Sequence, residues 1–290
     1  MAWEFEQVVS PREITEGPVW DGEGVIFSEI YESRILRYDE ATGETEVYRE
    51  DTNLANGLKF GPEGRLYACE QGEHRVVRYE PDGSATVVVA DYEGTRLNRP
   101  NDLAIDDAGR VWFTDPYYGD TPEELELGHQ SVYRADPVGE DEWELTRLTH
   151  EPMKPNGILV SPDGETLYVA QLDMDDGADK ELRAYPIRED LSLGDYEVLH
   201  NFAPHRGIDG MCLDAEGNVV AAAGATESGP GAMIYVFAPS GRVLETHPVP
   251  GRRPTNCAFG GEDLRTLYVT GFDSGLHRAR TDRRGYLGAP

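Results

Sequence analysis

The chain has 290 residues, with 55 Asp and Glu against 26 Lys and Arg, a net charge of −29. This balance excludes nucleic acid and anionic membrane surfaces as partners, because both repel a polyanion, and a hydrophobic fraction of 39% excludes general disorder. The longest apolar run, residues 219–225, falls far short of the roughly 18 residues that a membrane helix requires.

The first residues carry neither a basic segment nor an apolar core of the kind a secretory signal needs, so a cytoplasmic location is expected. Residues 5–10 then read as one strand with no partner of its own. From Glu16 onward a motif recurs: an acidic or amide residue, a short apolar strand, a Gly-rich turn and a second apolar strand. Its openers are Glu16, Asn56, Asn101, Asn156, Asp209 and Asn256, spaced 40, 45, 55, 53 and 47 residues apart. That period fits a four-stranded propeller blade. In the second repeat the turns Gly61-Pro-Glu-Gly64 and Pro81-Asp-Gly83 divide the chain into strands over 57–60, 65–70, 75–80 and 85–91. Long connections follow the second strands of repeats three, four and five, over 116–130, 172–180 and 224–232. The middle one is acidic and reads as a solvated loop. Cys69, Cys212 and Cys257 each lie in an apolar run and not in a C-x-x-C pair, so they are expected as buried small hydrophobes. Repeat six has a third strand over 275–280 but no fourth, and residues 281–288 read as turn. The strand at 5–10 is therefore expected to complete blade six, which leaves no open sheet edge around the ring. The prediction is an all-β, six-bladed propeller using residues 1–290 as one domain, a monomer by default.

In a propeller the first strand of every blade lines the central channel, so the six openers form a ring around one mouth. Asn and Asp also begin strands simply because they make turns, but six in register, all bearing oxygen and none His or Cys, suit a hard cation. Full charges on Glu16 and Asp209 match a divalent ion, with Ca²⁺ ahead of Mg²⁺, Mn²⁺ and Zn²⁺. His205, four residues before Asp209, enters the same mouth.

The stretches Glu16-Gly-Pro-Val-Trp20, Asn98-Arg-Pro-Asn-Asp102, Trp112-Phe-Thr-Asp-Pro-Tyr-Tyr-Gly119, Lys154-Pro-Asn-Gly157, Asp209-Gly-Met211 and Asn256-Cys-Ala-Phe-Gly-Gly261 resemble the gluconolactonase and regucalcin family of six-bladed propeller hydrolases. The resemblance runs over essentially the whole chain. It implies that Glu16, Asn156 and Asp209 hold the ion, that Asn101 contacts substrate and reaches towards the ion, and that Arg99 contacts substrate. Regucalcin-like members carry a sugar-contacting Glu in the loop where this chain reads Asp115-Pro-Tyr-Tyr-Gly119, which favours the bacterial gluconolactonase branch. The implied activity is hydrolysis of a small sugar lactone. A divalent ion there would polarise the carbonyl and acidify water, with Asp209 as general base, or His205 in its place. Tyr117 and Tyr118 are expected to contact the substrate, and Asn56, Asn256 and Asp115 to stand behind the ligands. Two other classes share this fold: an organophosphate hydrolase of the diisopropyl fluorophosphatase type, and a propeller that binds without catalysis. Scarce lysine, only Lys59, Lys154 and Lys180, beside surplus acid points to a high-salt source.

Overall fold

The computed structural model describes residues 2–10, 12–119, 121, 125–151, 153–175 and 177–288. Among the described residues six antiparallel blade sheets follow one another along the chain, five of four strands and one of five, with a separate two-stranded hairpin, Asp91–Tyr92 and Thr95–Arg96, between blades two and three. Blade one is Thr15–Trp20, Gly24–Glu29, Arg34–Asp39 and Thr45–Arg49, numbered outward from the axis. Blade six is Arg253–Gly260, Thr266–Phe272 and Gly275–Arg280, and its outermost strand is the N-terminal Glu6–Val9, with Gln7 opposite His277. The expected closure is therefore present. Apolar side chains from neighbouring blades interleave in six clusters among the described residues, one at each blade interface. A strand sandwiched between two blades has no wet face, which is why Gly24–Glu29 and Val219–Ala225 are buried at every position. The outer strand Thr45–Arg49 is mostly exposed.

Two expectations are corrected. The connection over 224–232 is not a long loop: Val219–Ala225 and Ser228–Phe237 form one extended hairpin, in which Ala225 pairs with Ser228. Residues 281–288 are not all turn either, since Gly285–Tyr286 adds a fifth strand to blade five by pairing with Leu213 and Asp214. These partners lie at the far end of the innermost strand, and Tyr286 and Leu287 border a small cavity of about 40 Å³ there with Lys59, Asp102 and Asn256. The chain's last strand thus covers the end of the channel opposite the ring.

The ring end is shaped by a repeated irregularity. In five blades the pairing of the first two strands slips next to the opener, between Glu16 and Val19, Ala55 and Leu58, Pro155 and Ile158, Ile208 and Met211, and Pro254 and Cys257. A bulge of this kind re-aims a side chain, here toward the axis. The Gly that follows the opener is what lets the next blade close in. A Cβ on Gly57 would stand 2.8 Å from the Asn101 carbonyl oxygen, and one on Gly157 would stand 2.5 Å from that of Asp209. In blade three the residue at this step is Asp102 instead, so a carboxylate enters the channel wall there.

Candidate active site

A cavity of about 310 Å³ opens at the ring end, with Glu16, Asn56, Asn101, Asn156 and Asp209 in its lining. Ile14, Ile30, Leu54, Leu172 and Phe272 also contribute to its wall. A larger groove, about 950 Å³, runs beside the N-terminal strand past Trp3, Phe5 and Arg278, and contains none of the ring residues. The polar chemistry is in the smaller cavity.

Glu16 lies at the centre of the ring's hydrogen bonding. Its Oε2 accepts from the Gly17 N–H at 2.6 Å and from Asn256 Nδ2 at 3.0 Å. The same Asn256 amide lies 3.4 Å from Asp102 Oδ2, while its Oδ1 accepts from the Cys257 N–H. Asn256 therefore bridges two carboxylates and lines the lower channel, not the cavity. Burial, followed by the charges of Asp209 and Asp102, pushes the Glu16 carboxyl well above the usual carboxylate range. Asp102 is raised to about 6, chiefly by burial, against the Leu103 N–H and the charge of Lys59. Asp209 is raised too by burial, opposed by the Arg206 guanidinium, which pairs with its Oδ2.

On the other side of the mouth, Asn156 Nδ2 donates to the Tyr118 hydroxyl at 3.1 Å. Tyr118 is 38% exposed as a residue, but its hydroxyl points inward to Asn156, and burial together with the charge of Asp209 raises it. Asn101 is held by its backbone: its N–H donates to the Thr114 carbonyl and its carbonyl accepts from the Gly57 N–H, both at 2.9 Å. Arg99 lines the cavity with its guanidinium 5.8 Å from the centre of the Tyr117 ring.

Several expected residues stand elsewhere. Tyr117 is buried outside the lining, where its hydroxyl donates to the Thr121 carbonyl at 2.8 Å and its N–H to Gln130 Oε1 at 2.7 Å. It fastens the 116–130 connection, of which residues 120 and 122–124 lie outside the described residues. His205 is exposed and bonded through Nδ1 to Ser228 Oγ at 3.0 Å, away from the lining. Asp115 is buried beneath the Arg99 loop, where its Oδ2 accepts the Asn98 N–H at 2.9 Å, so it braces the segment that carries Arg99 and Asn101. In the acidic connection, where residue 176 lies outside the described residues, Asp173 pairs with Lys154 at 3.1 Å and Lys180 Nζ bonds the carbonyls of Asp175 and Ala178. Cys69, Cys212 and Cys257 are buried thiols.

Sequence reasoning missed Arg206 and Asp102. Asp102 left a signal, since it breaks the opener-Gly pattern of repeats one, two, four and five. Arg206 left none, because it occurs once and outside the repeat.

The donor set suits a hard divalent ion. Glu16 and Asp209 are both destabilised as anions by burial, and Asn56 Oδ1 is buried without a hydrogen-bond partner. A hard divalent cation would relieve the burial of the two carboxylates and take up the amide oxygen, beside the Arg99, Arg206 and Arg253 side chains that line the same cavity. Among the described residues no three His, Cys, Asp or Glu side chains gather as a metal-holding group, so amide oxygens would have to complete the coordination.

Residues 14–272 match the family described as SMP-30/Gluconolactonase/LRE-like region, and the chain belongs to that family. It is 30% identical to the gluconolactonase of Zymomonas mobilis, over 92% of this chain and 78% of that protein. Among solved structures, a gluconolactonase from Xanthomonas campestris superposes with a TM-score of 0.82 at 31% identity, covering 96% of this chain and 89% of that one. The calcium-binding regucalcin from Agrobacterium tumefaciens gives a TM-score of 0.78 at 21% identity, covering 99% and 96%, and so shares the fold. Relatives named as gluconolactonases at this coverage support a lactone hydrolase.

Proposed function

We propose that this chain hydrolyses small sugar lactones at the ring mouth with the help of one divalent cation, Ca²⁺ being the first candidate. The observation that carries this reading is the convergence of two buried carboxylates, Glu16 and Asp209, with ring amides on one cavity of about 310 Å³. Glu16, Asn156 and Asp209 would hold the cation, with Asn101 beside it. A bound divalent ion supplies Lewis acidity toward a carbonyl oxygen and increases the acidity of water.

The chain's own residues account for the rest. Arg206 occupies Asp209 Oδ2, so Oδ1 is the oxygen that would touch the cation with one lone pair and with the other take the proton as water adds to the lactone carbonyl carbon. The same carboxyl returns that proton to the ring oxygen as the acyl C–O bond breaks, so one water is consumed and one hydroxy acid is formed. Asn101, Arg99 and the Tyr118 hydroxyl would orient the carbonyl and hydroxyls of the substrate. The apolar wall of Ile14, Ile30, Leu54 and Phe272 limits water around the reacting centre and strengthens the polar contacts inside.

The test is pH-stat hydrolysis of a panel of aldonolactones, with a phosphotriester alongside, after chelation and re-addition of single metals. Asp209→Asn is expected to lose about 10² to 10⁴-fold in kcat, the usual contribution of proton-transfer assistance, and Asp209→Ala to lose cation binding as well. Full turnover in Asp209→Asn would remove the base, and undiminished turnover in chelator would remove the cation.

A further inference from the structure

Asp209 does not enter the cavity alone. Arg206 precedes it by three residues, and the Arg206 side chain is only 7% exposed. Nη2 of Arg206 pairs with Asp209 Oδ2, while Nη1 donates to the Gly224 carbonyl at 3.2 Å and to the Pro254 carbonyl at 3.1 Å. Gly224 belongs to the second strand of blade five and Pro254 to the first strand of blade six. The guanidinium is therefore held from two blades before it meets the carboxylate. The Gly224 carbonyl is itself fixed, since residue 224 has φ +78° and a Cβ there would stand 2.0 Å from the Gly231 carbonyl oxygen.

We infer that Arg206 is a positioning residue: a fixed counter-charge that keeps Asp209 aimed while the site holds no cation and that sets how tightly the site takes one. The inference rests on the cation reading given above. Glu16 and Asp209 face each other in a buried site, and their repulsion is a cost that the folded chain must meet. One guanidinium relieves part of it permanently. A divalent ion then binds next to a positive charge that it cannot displace, because the two carbonyls keep the guanidinium in place. It also finds Asp209 with one oxygen already engaged. Both effects weaken cation binding, and both lessen the share of the fold's stability that depends on the cation. A mere blade-to-blade cross-link would make the same contacts but would not couple to the cation.

The experiment compares the wild type with Arg206→Gln and Arg206→Lys. Each chelator-treated protein is titrated with Ca²⁺ by calorimetry and melted with and without saturating Ca²⁺. Removing the charge in Arg206→Gln should tighten Ca²⁺ binding about tenfold, since affinity at oxygen sites follows the charge of the ligand set. It should also lower Tm more without Ca²⁺ than with it, because a ligand bound only to the folded state stabilises in proportion to its affinity. Arg206→Lys retains the charge and should stay within about threefold of wild-type affinity, the charge count being unchanged. A glutamine variant that folds only in Ca²⁺ is the extreme form of the expected result. Equal loss of Tm with and without Ca²⁺, failure to fold in either condition, or unchanged affinity would make Arg206 a structural cross-link and overturn the inference. A wild type that binds no Ca²⁺, Mg²⁺, Mn²⁺ or Zn²⁺ would overturn both this inference and the cation reading, which separates the two failures.

Discussion

Tyr117 and Tyr118 are adjacent in sequence, yet their hydroxyls do different work. That of Tyr118 accepts from Asn156 inside the cavity, whereas that of Tyr117 donates to the Thr121 carbonyl and holds the loop together. Tyr118→Phe should therefore lower kcat/KM on aldonolactones by about 2 to 12-fold, the equivalent of about 0.5 to 1.5 kcal/mol for one neutral hydrogen bond. Tyr117→Phe should leave kcat/KM nearly unchanged and act on Tm. Kinetics of the two single variants on five- and six-membered lactones check this, and larger kinetic losses in Tyr117→Phe would reverse the division of roles. Asp115 makes a second prediction, about pH. Its carboxyl is buried, one oxygen lacks a hydrogen bond, and burial pushes it up to about 8, against the Asn98 and Arg99 N–H groups. The unfolded value is about 4, so between these limits the folded protein keeps a proton that the unfolded chain releases. The stability this group contributes is fully present below pH about 4 and is lost as pH rises through about 8. Asp115→Asn cannot titrate, and its Tm should decline less from pH 5 to 8 than that of the wild type. Identical slopes for the two proteins would assign the decline to other carboxyls.

The strand Glu6–Val9 shows how one element can decide whether the ring is closed. Val9 is 4% exposed and packs with Trp20, Phe27 and Leu276, and the segment before it is anchored where Trp3 stacks on His247 with ring centroids 3.8 Å apart. Val9→Ala should cost about 1.5 to 2.5 kcal/mol by lost burial and the space left behind, read as a shift in denaturant midpoint. Deleting residues 1–9 should do more, because it bares the edge of Gly275–Arg280 and invites association between chains. A truncated protein with wild-type Tm and no concentration-dependent sedimentation would show that closure contributes nothing. This strand was legible in the sequence because a repeat lacking its fourth member demands a replacement. The ring was legible for a related reason: five of the six openers sit at a bulge, and in repeats one, two, four and five the bulge leaves a Gly beside it. Gly285–Tyr286 and the extended hairpin of blade five were not legible, since pairing with a distant strand, and not local turn chemistry, defines them. Arg206 was hidden for the same cause, because its partners Asp209, Gly224 and Pro254 are brought together only by the packing of blades five and six.

At the scale of the whole molecule, a net charge of −29 is spread over a closed ring that cannot relax by opening an edge. Opposing this repulsion are Arg–carboxylate pairs that differ in how salt reaches them. Arg283 bonds Asp214 at 2.6 Å with the two side chains only 14% and 2% exposed, and Arg37 bonds Asp21 at 2.6 Å with 14% and 17%. Pairs as sheltered as these are screened little, whereas exposed ones such as Arg280–Asp263 contribute little even at low salt. Monovalent salt should therefore remove more repulsion than attraction. We propose that the acidity is an adaptation to high salt, and the Tm of chelator-treated protein should rise as NaCl goes from about 0.1 to 1 M, while the screening length falls from about 10 to 3 Å. Most of the gain should come early in that range, because charges farther apart than the screening length cease to interact first. Chelation removes any contribution of divalent ions from the result. A Tm that falls with NaCl would mean that the Arg pairs outweigh the repulsion and that the surface is balanced for low salt.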